Sequence, residues 1–392
     1  MTAPETKPPF VAIACGGTGG HLFPGLAVAG ELKKRGCQIA LLISPKDVDQ
    51  QAVKSAQGFE VFTLPAVGLQ NRNYYSFAKS FWNSYRASRK IFNQHKPDAV
   101  LAMGGFTSAP PILAARKFGA KTFLHESNTI PGKANRFLAR FVDEVFVGFP
   151  EAGSRLKARK ISVTGTPVRP QFQPRDAAEC RTALGLDPNL PTILVMGGSQ
   201  GASGLNEMIL SALPLIAEKN WQFLHLTGVN DFEKVKQAYA ARGLNAVVKP
   251  FLAEMDLALG AATISVSRSG ASSLAEIVAV RLPSLLVPYP AAADNHQFIN
   301  ALAFGKTGAA KPLEQKNATP EKVAALLCEL VENDAARAGM QSALAQWHAP
   351  RTAEQIAEII LTAIAQQQAK TAQAKTKHCG CGHAHGSAKH AH

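Results

Sequence analysis

The polar residues of this sequence that can do chemistry fall into a few short groups. His21 follows directly on Gly16-Gly-Thr-Gly-Gly20. An imidazole, with its ordinary pKa near neutrality, can take a proton from an attacking hydroxyl. His125-Glu-Ser-Asn128 closes an apolar run and offers Glu126 as a rival base. Thr164-Gly-Thr-Pro-Val-Arg169 ends in a guanidinium, whose planar fork suits a phosphate. Ser267-Arg-Ser-Gly-Ala-Ser-Ser-Leu-Ala-Glu276 runs from a strand end through a glycine into a helix. The free N–H groups of that first turn suit a phosphate, and Glu276 can accept both hydroxyls of a ribose. Asp294-Asn-His-Gln297 adds amides and an imidazole suited to sugar hydroxyls. The plainer alternatives are that His21 holds its own loop and that Glu276 is an ordinary exposed helix charge.

Two glycine turns must position these groups. Val11-Ala-Ile-Ala-Cys15 runs into Gly16-Gly-Thr-Gly-Gly20, and a helical run follows from Leu22 with Pro24 in its first turn. Thr192-Ile-Leu-Val-Met196 runs into Gly197-Gly-Ser-Gln-Gly201, followed by Leu205, Met208, Ile209 and Leu213 at helical spacing. Glycines let the backbone approach a bulky anion, and a helix N-terminus supplies free N–H groups and partial positive charge. One such turn is a weak signal. One in each half suggests two nucleotide-fold halves sharing a crevice.

The chain has 392 residues, enough for about two domains, and 46% hydrophobic residues, enough for sizeable cores. No apolar run reaches the ~18–20 residues that span a bilayer, and no secretory signal is expected. Cys15, Cys37, Cys180 and Cys328 are scattered in apolar patterns and read as reduced core thiols. The net charge of +14 favours anionic partners. Basic RNA-binding signatures are not evident, so nucleic acid is not expected.

Residues 1–9 read as a loose tail. Strands are expected at Gln38–Ile43, Glu60–Leu64, Asp98–Met103, Lys121–His125 and Glu144–Val147. In the second half they are expected at Thr192–Met196, Gln222–Leu226, Ala246–Val248, Thr263–Val266 and Ser284–Val287. The intervening helices include Pro131–Val142, Ser272–Val280, His296–Phe304, Glu321–Glu332 and Thr352–Gln366. This alternation predicts α/β domains with parallel sheets. Asn73–His95 carries Phe77, Phe81, Trp82 and Tyr85 among Lys79, Arg86, Arg89 and Lys90. It suits either a helix packed on the sheet or one docked on an anionic membrane surface. The proline-rich Gly165–Asp176 reads as the link between domains. From Gln367 the chain is of low complexity and ends in a His/Cys-rich stretch, read as a loose tail with adventitious metal affinity.

The order and spacing of Gly16-Gly-Thr-Gly-Gly-His21, Met103-Gly-Gly-Phe106, His125-Glu-Ser-Asn128, Gly165-Thr-Pro-Val-Arg169, Gly197-Gly-Ser-Gln-Gly-Ala202, Arg268-Ser-Gly-Ala271 and Asp294-Asn-His-Gln297 carry a resemblance. Over about residues 10–365 the chain resembles the MurG family, the peptidoglycan N-acetylglucosaminyltransferases of glycosyltransferase family 28. The resemblance implies the GT-B fold. It places an acceptor and membrane-binding domain at 10–165, a linker at 166–176 and a donor domain at 177–348. A helix at 349–366 would return to the first domain, ahead of a tail at 367–392.

It also implies an inverting transfer of N-acetylglucosamine (GlcNAc) from UDP-GlcNAc to the 4-hydroxyl of lipid I (undecaprenyl-pyrophosphoryl-N-acetylmuramoyl pentapeptide), making lipid II. Donor contacts carry over to Thr18, Gly19, Gly20, Asn128, Arg169, Ser199, Leu252, Ala271, Ser272, Ser273, Leu274, Ala275, Glu276 and Gln297. Phe106 stands where the family often has a tyrosine, so no hydroxyl role is expected there. No cofactor or divalent metal is expected: Asp47-Val-Asp49 stands in a poor context for one. Expected surroundings are the cytoplasmic face of the inner membrane and other cell-wall synthesis proteins. A sugar–diacylglycerol synthase and a non-catalytic UDP-sugar-binding protein are the alternatives.

Overall fold

The computed structural model describes residues 7–46, 49–50, 58–66, 73–198 and 201–379. Among them lie two parallel sheets. The first comprises β1 (Phe10–Ala14), β2 (Gln38–Ile43), β3 (Glu60–Thr63), β4 (Ala99–Ala102), β5 (Lys121–Glu126), β6 (Glu144–Val147) and β7 (Ile161–Val163). Its order is β3-β2-β1-β4-β5-β6-β7. The second comprises β8 (Thr192–Met196), β9 (Gln222–Leu226), β10 (Ala246–Lys249), β11 (Ile264–Ser267), β12 (Ser284–Leu286) and β13 (Lys311–Pro312), in the order β10-β9-β8-β11-β12-β13. In both sheets the strand before the glycine turn, β1 or β8, lies where the strand order reverses. That is where open α/β sheets bind ligands, outside the carboxyl ends of the strands.

The central strands are apolar runs because helices cover both their faces. All of β1, β4, β6, β8 and β9 is buried. One face of the first sheet packs on a core including Tyr85, Ile91, Phe92 and Ile112. The other packs on the helix Gly19–Lys34 and on Ile356, Ala357, Ile360 and Ile364 of the last helix. The chain thus crosses back after the second domain, and the Thr352 hydroxyl donates to the Thr164 carbonyl at 2.6 Å. Phe149 crosses the other way. It lies just past β6 but in the core of the second domain, its ring 6.2 Å from Phe304 and 5.6 Å from Trp347.

The helix expected over Pro131–Val142 covers only Lys133–Leu138. The last helix, by contrast, runs from Thr352 to Cys379, well past the expected start of the loose tail. Its Ala, Gln and Lys are good helix formers, so low complexity here did not interrupt the helix. The His/Cys-rich residues from Gly380 onward lie outside the described residues.

The return crossing sets a stability test. Ile360 is fully buried between the last helix and the first sheet. Ile360→Ala should cost about 2–5 kcal/mol in urea unfolding. A loss under about 1 kcal/mol would show that this face does not close the core.

Candidate active site

The loops at the carboxyl ends of the two sheets face each other across a cleft. In the first glycine turn, a Cβ on Gly16 would lie 2.3 Å from the Ser44 nitrogen. Only glycine fits, and the reason is the protein's own backbone rather than a ligand. The Gly17 N–H donates to Asp49 at 2.6 Å, and the Lys46 ammonium donates to the Gly17 carbonyl at 2.9 Å. Asp49, fully buried, also accepts from the Ser44 N–H at 3.1 Å. Asp49 is therefore a support for the turn, a role the sequence did not announce; Asp47 lies outside the described residues. Thr18 caps the helix that follows, which leaves the N–H groups of Gly19 and Gly20 without helical acceptors.

His21 stands on that first turn, its Nδ1 3.2 Å from the Thr18 hydroxyl. Its ring rests on the loop after β4, where a Cβ on Gly105 would meet it at 2.9 Å. This explains the Met103-Gly-Gly-Phe106 motif: the glycines make room for the imidazole. Burial pushes His21 down to about 4; the Asp49 carboxylate opposes this and Lys46 adds to it. The imidazole is neutral near pH 7, as a base must be. Phe106 lies over Gly17, with the Lys46 ammonium 5.3 Å from its ring centroid.

Glu126 is not placed to act as the base. It is 2% exposed, and both its oxygens are occupied. One accepts from the Asn128 N–H at 2.8 Å and the Asn128 amide at 3.2 Å. The other accepts from the Gly132 N–H at 2.9 Å and the Asn135 amide at 2.8 Å. Glu126 instead pins the loop over residues 127–132. Neighbouring His125 is also buried, its ring nitrogens engaged by the Gly165 carbonyl at 3.0 Å and the Ser127 hydroxyl at 3.1 Å.

That loop docks on the second domain. The Asn300 carbonyl oxygen accepts from the Thr129 N–H at 3.0 Å and its hydroxyl at 2.8 Å. The Asn300 amide donates to the Asn128 side-chain oxygen at 3.1 Å and to the Ser269 carbonyl at 3.1 Å. Arg136 reaches Asp294 at 2.7 Å. Asp294 and Asn295 both have positive φ, 49° and 53°, which these short polar residues tolerate better than most. Gln297 accepts from the Tyr289 N–H at 2.9 Å, which holds its side chain at the cleft edge.

Arg169 and Glu276 meet in the cleft, 3.7 Å apart. The guanidinium carbon lies 4.3 Å from the Phe23 ring centroid and 4.9 Å from that of Phe172. Burial pushes the Glu276 carboxyl up to about 7, against the pull of Arg169. The helix bearing Glu276, Ala271–Val280, is capped by Gly270. Ala271, Ser272 and Ser273 therefore present free first-turn N–H groups. Leu274 does not: its N–H bonds the Gly270 carbonyl at 2.9 Å and its side chain is 1% exposed in the core. Ala275 lies one residue deeper still. Arg268 is structural, donating to the carbonyls of Val287 and Pro288 and to Gln315 at 2.8 Å. Leu252 is buried just after β10, beside the exposed Phe251. Ser199 lies outside the described residues.

The aromatic stretch forms a helix, Tyr74–Gln94, with Asn73 as its N-cap. Tyr85 is a correction to the membrane set: it is 9% exposed and lies in the core of the first domain. Phe81 is half-buried against the same core, as the four-residue spacing from Tyr85 requires. Phe77 is half-buried too. The outward surface carries Tyr74, Tyr75, Trp82, Arg86 and Arg89.

The model of the glycosyltransferase family 28 N-terminal domain matches residues 11–147, and that of the C-terminal domain matches residues 192–358. The UDP-N-acetylglucosamine--N-acetylmuramyl-(pentapeptide) pyrophosphoryl-undecaprenol N-acetylglucosamine transferase of Anaeromyxobacter sp. (strain Fw109-5) is 35% identical, covering 88% of this chain and 91% of the relative. The protein of the same name from Syntrophus aciditrophicus (strain SB) is 37% identical, covering 80% and 87%. The crystal structure of Acinetobacter baumannii MurG superposes with a TM-score of 0.72 at 27% identity, covering 91% of this chain and all of that one. CalG4, the calicheamicin glycosyltransferase, at 17% identity and a TM-score of 0.64, shares the fold. These likenesses establish the GT-B fold, and the chain belongs to the MurG family of glycosyltransferase family 28.

Proposed function

We propose that this chain transfers GlcNAc from UDP-GlcNAc to the 4-hydroxyl of the muramoyl sugar of lipid I, forming lipid II. Curated relatives across most of its length carry that activity in their names. The observation within the structure that supports it is Arg169 facing Glu276, beside Phe23 of the helix that follows the first glycine turn. A guanidinium beside a carboxylate matches a diphosphate next to a ribose.

The helix start at Ala271–Ser273 and Arg169 receive the diphosphate, Glu276 the ribose hydroxyls and Gln297 the sugar. The acceptor 4-hydroxyl attacks the anomeric carbon from the side opposite UDP, which inverts that centre. The new C–O bond forms as the bond to UDP breaks, and the hydroxyl proton passes to a base. His21 is the side chain suited to take it. The leaving charge on UDP is met by helix N–H groups and Arg169 rather than by a metal.

Radiolabelled UDP-GlcNAc should label lipid I and not diacylglycerol, and labelling should persist in EDTA. Labelling of diacylglycerol alone would assign the chain to glycolipid synthesis. Complete loss in EDTA, restored by magnesium, would overturn the metal-free step.

Ionised Glu276 accepts the ribose hydroxyls, and its carboxyl sits at about 7 in the free protein. UDP-GlcNAc affinity should therefore fall as pH drops from 8 to 6, roughly threefold to tenfold, because a proton competes for the group. Glu276→Gln should flatten the profile, measured by calorimetry. An unchanged slope would remove Glu276 from donor binding.

Lipid I is anchored by its polyprenyl chain, so the enzyme works at the membrane surface. No described helix is long and apolar enough to cross a membrane. Docking through the outward face of Tyr74–Gln94 combines Tyr75, 80% exposed, and Trp82, 56% exposed, with Arg86 and Arg89. Basic residues near an anionic surface contribute about 1 kcal/mol each. Because neither aromatic is a core residue, Tyr75→Ser, Trp82→Ser should stay folded and bind UDP, yet fail to float with anionic vesicles. Flotation equal to the parent would place the docking face elsewhere.

A further inference from the structure

Arg169 and Arg268 are both largely buried arginines at the cleft, yet they are held by opposite means. Arg268 donates to two backbone carbonyls and to Gln315. Arg169, among the described residues, has no such carbonyl or amide acceptor; its polar partner is the Glu276 carboxylate. Its ion pair with Glu276 is long, at 3.7 Å, and the buried Nε of each arginine has no partner. The Arg169 guanidinium carbon also lies over two aromatic rings, 4.3 Å from the Phe23 centroid and 4.9 Å from that of Phe172. Aromatic faces hold a guanidinium through its plane and leave its edge, where all five N–H donors lie, for an anion.

The two rings come from different places. Phe172 is three residues on in the same linking segment. Phe23 belongs to the first domain, two residues past His21 in the same helix. We propose that Phe23 is a positioning residue for the donor: it holds Arg169 with its N–H edge toward the diphosphate of UDP-GlcNAc. It thereby ties the His21 turn to the donor site in the other domain. This role rests on the donor reading given above.

The test compares ligands with and without phosphates. Phe23→Leu removes the ring face but keeps an apolar side chain. It should raise the Kd for UDP and the KM for UDP-GlcNAc about threefold to tenfold, leave kcat within about twofold, and leave uridine binding unchanged. Phe23→Tyr, which keeps the ring, should restore the parent values. On an Arg169→Ala background, adding Phe23→Leu should change UDP affinity no further, because the residue acts through Arg169. Equal weakening of uridine, or a full effect without Arg169, would show a general packing role and overturn the proposal. A parent protein that binds uridine and UDP equally would instead overturn the assignment of Arg169 to the diphosphate.

Discussion

One buried amide carries much of the geometry of the cleft. Asn300 is fully buried and uses both lone pairs and both N–H groups at once, on Thr129, Asn128 and Ser269. Two of these residues belong to the first domain and one to the second. A buried amide with an unmet group costs about 1–3 kcal/mol, so these loops are tied to one relative position. The loop that Asn300 grips is itself pinned from below by Glu126. The carbonyl it holds, Ser269, immediately precedes the cap of the Glu276 helix. Burial of polar groups thus transmits position from the first sheet's edge to the second's.

The same burial sets the charges. Desolvation lowers His21 and raises Glu276, so both drift toward their neutral forms. Arg169 is the cation that opposes this for Glu276. Such perturbed groups gather at functional sites, where burial and neighbouring charges are arranged to suit the chemistry. Arg268 shows the contrast. Its guanidinium already has acceptors, and its work is to hold the loop after β12.

Much of the fold was legible because parallel strands buried on both faces are continuous apolar runs. Gln38–Ile43, Glu144–Val147, Thr192–Met196 and Gln222–Leu226 have the expected bounds. The short edge strands β7 and β13 were not legible, since three or two residues leave no pattern. Nor was Tyr85 as a core residue: helical spacing groups it with Phe77 and Phe81 but does not say which way that face turns. Asp49 and Asn300 were missed for another reason. The partners that give them their place in the site, Gly17 and Thr129, lie 32 and 171 residues away, and no local spacing announces such contacts. Glu126 was read from its chemistry alone, and only its four donors show that its oxygens are engaged.

The depressed His21 raises the question of how it can serve as a base. A group near 4 accepts a proton weakly from a sugar hydroxyl, whatever its tautomer. Burial is the largest cause of that shift; the Asp49 carboxylate opposes it and Lys46 adds to it. The acceptor of the proposed reaction carries a pyrophosphate, and the free N–H groups of Gly19 and Gly20 lie beside His21 to receive an anion. A phosphate within about 4–6 Å favours the protonated imidazole and moves its pKa upward. On this reading the acceptor strengthens the base that deprotonates it. Basicity then rises when the hydroxyl is in place.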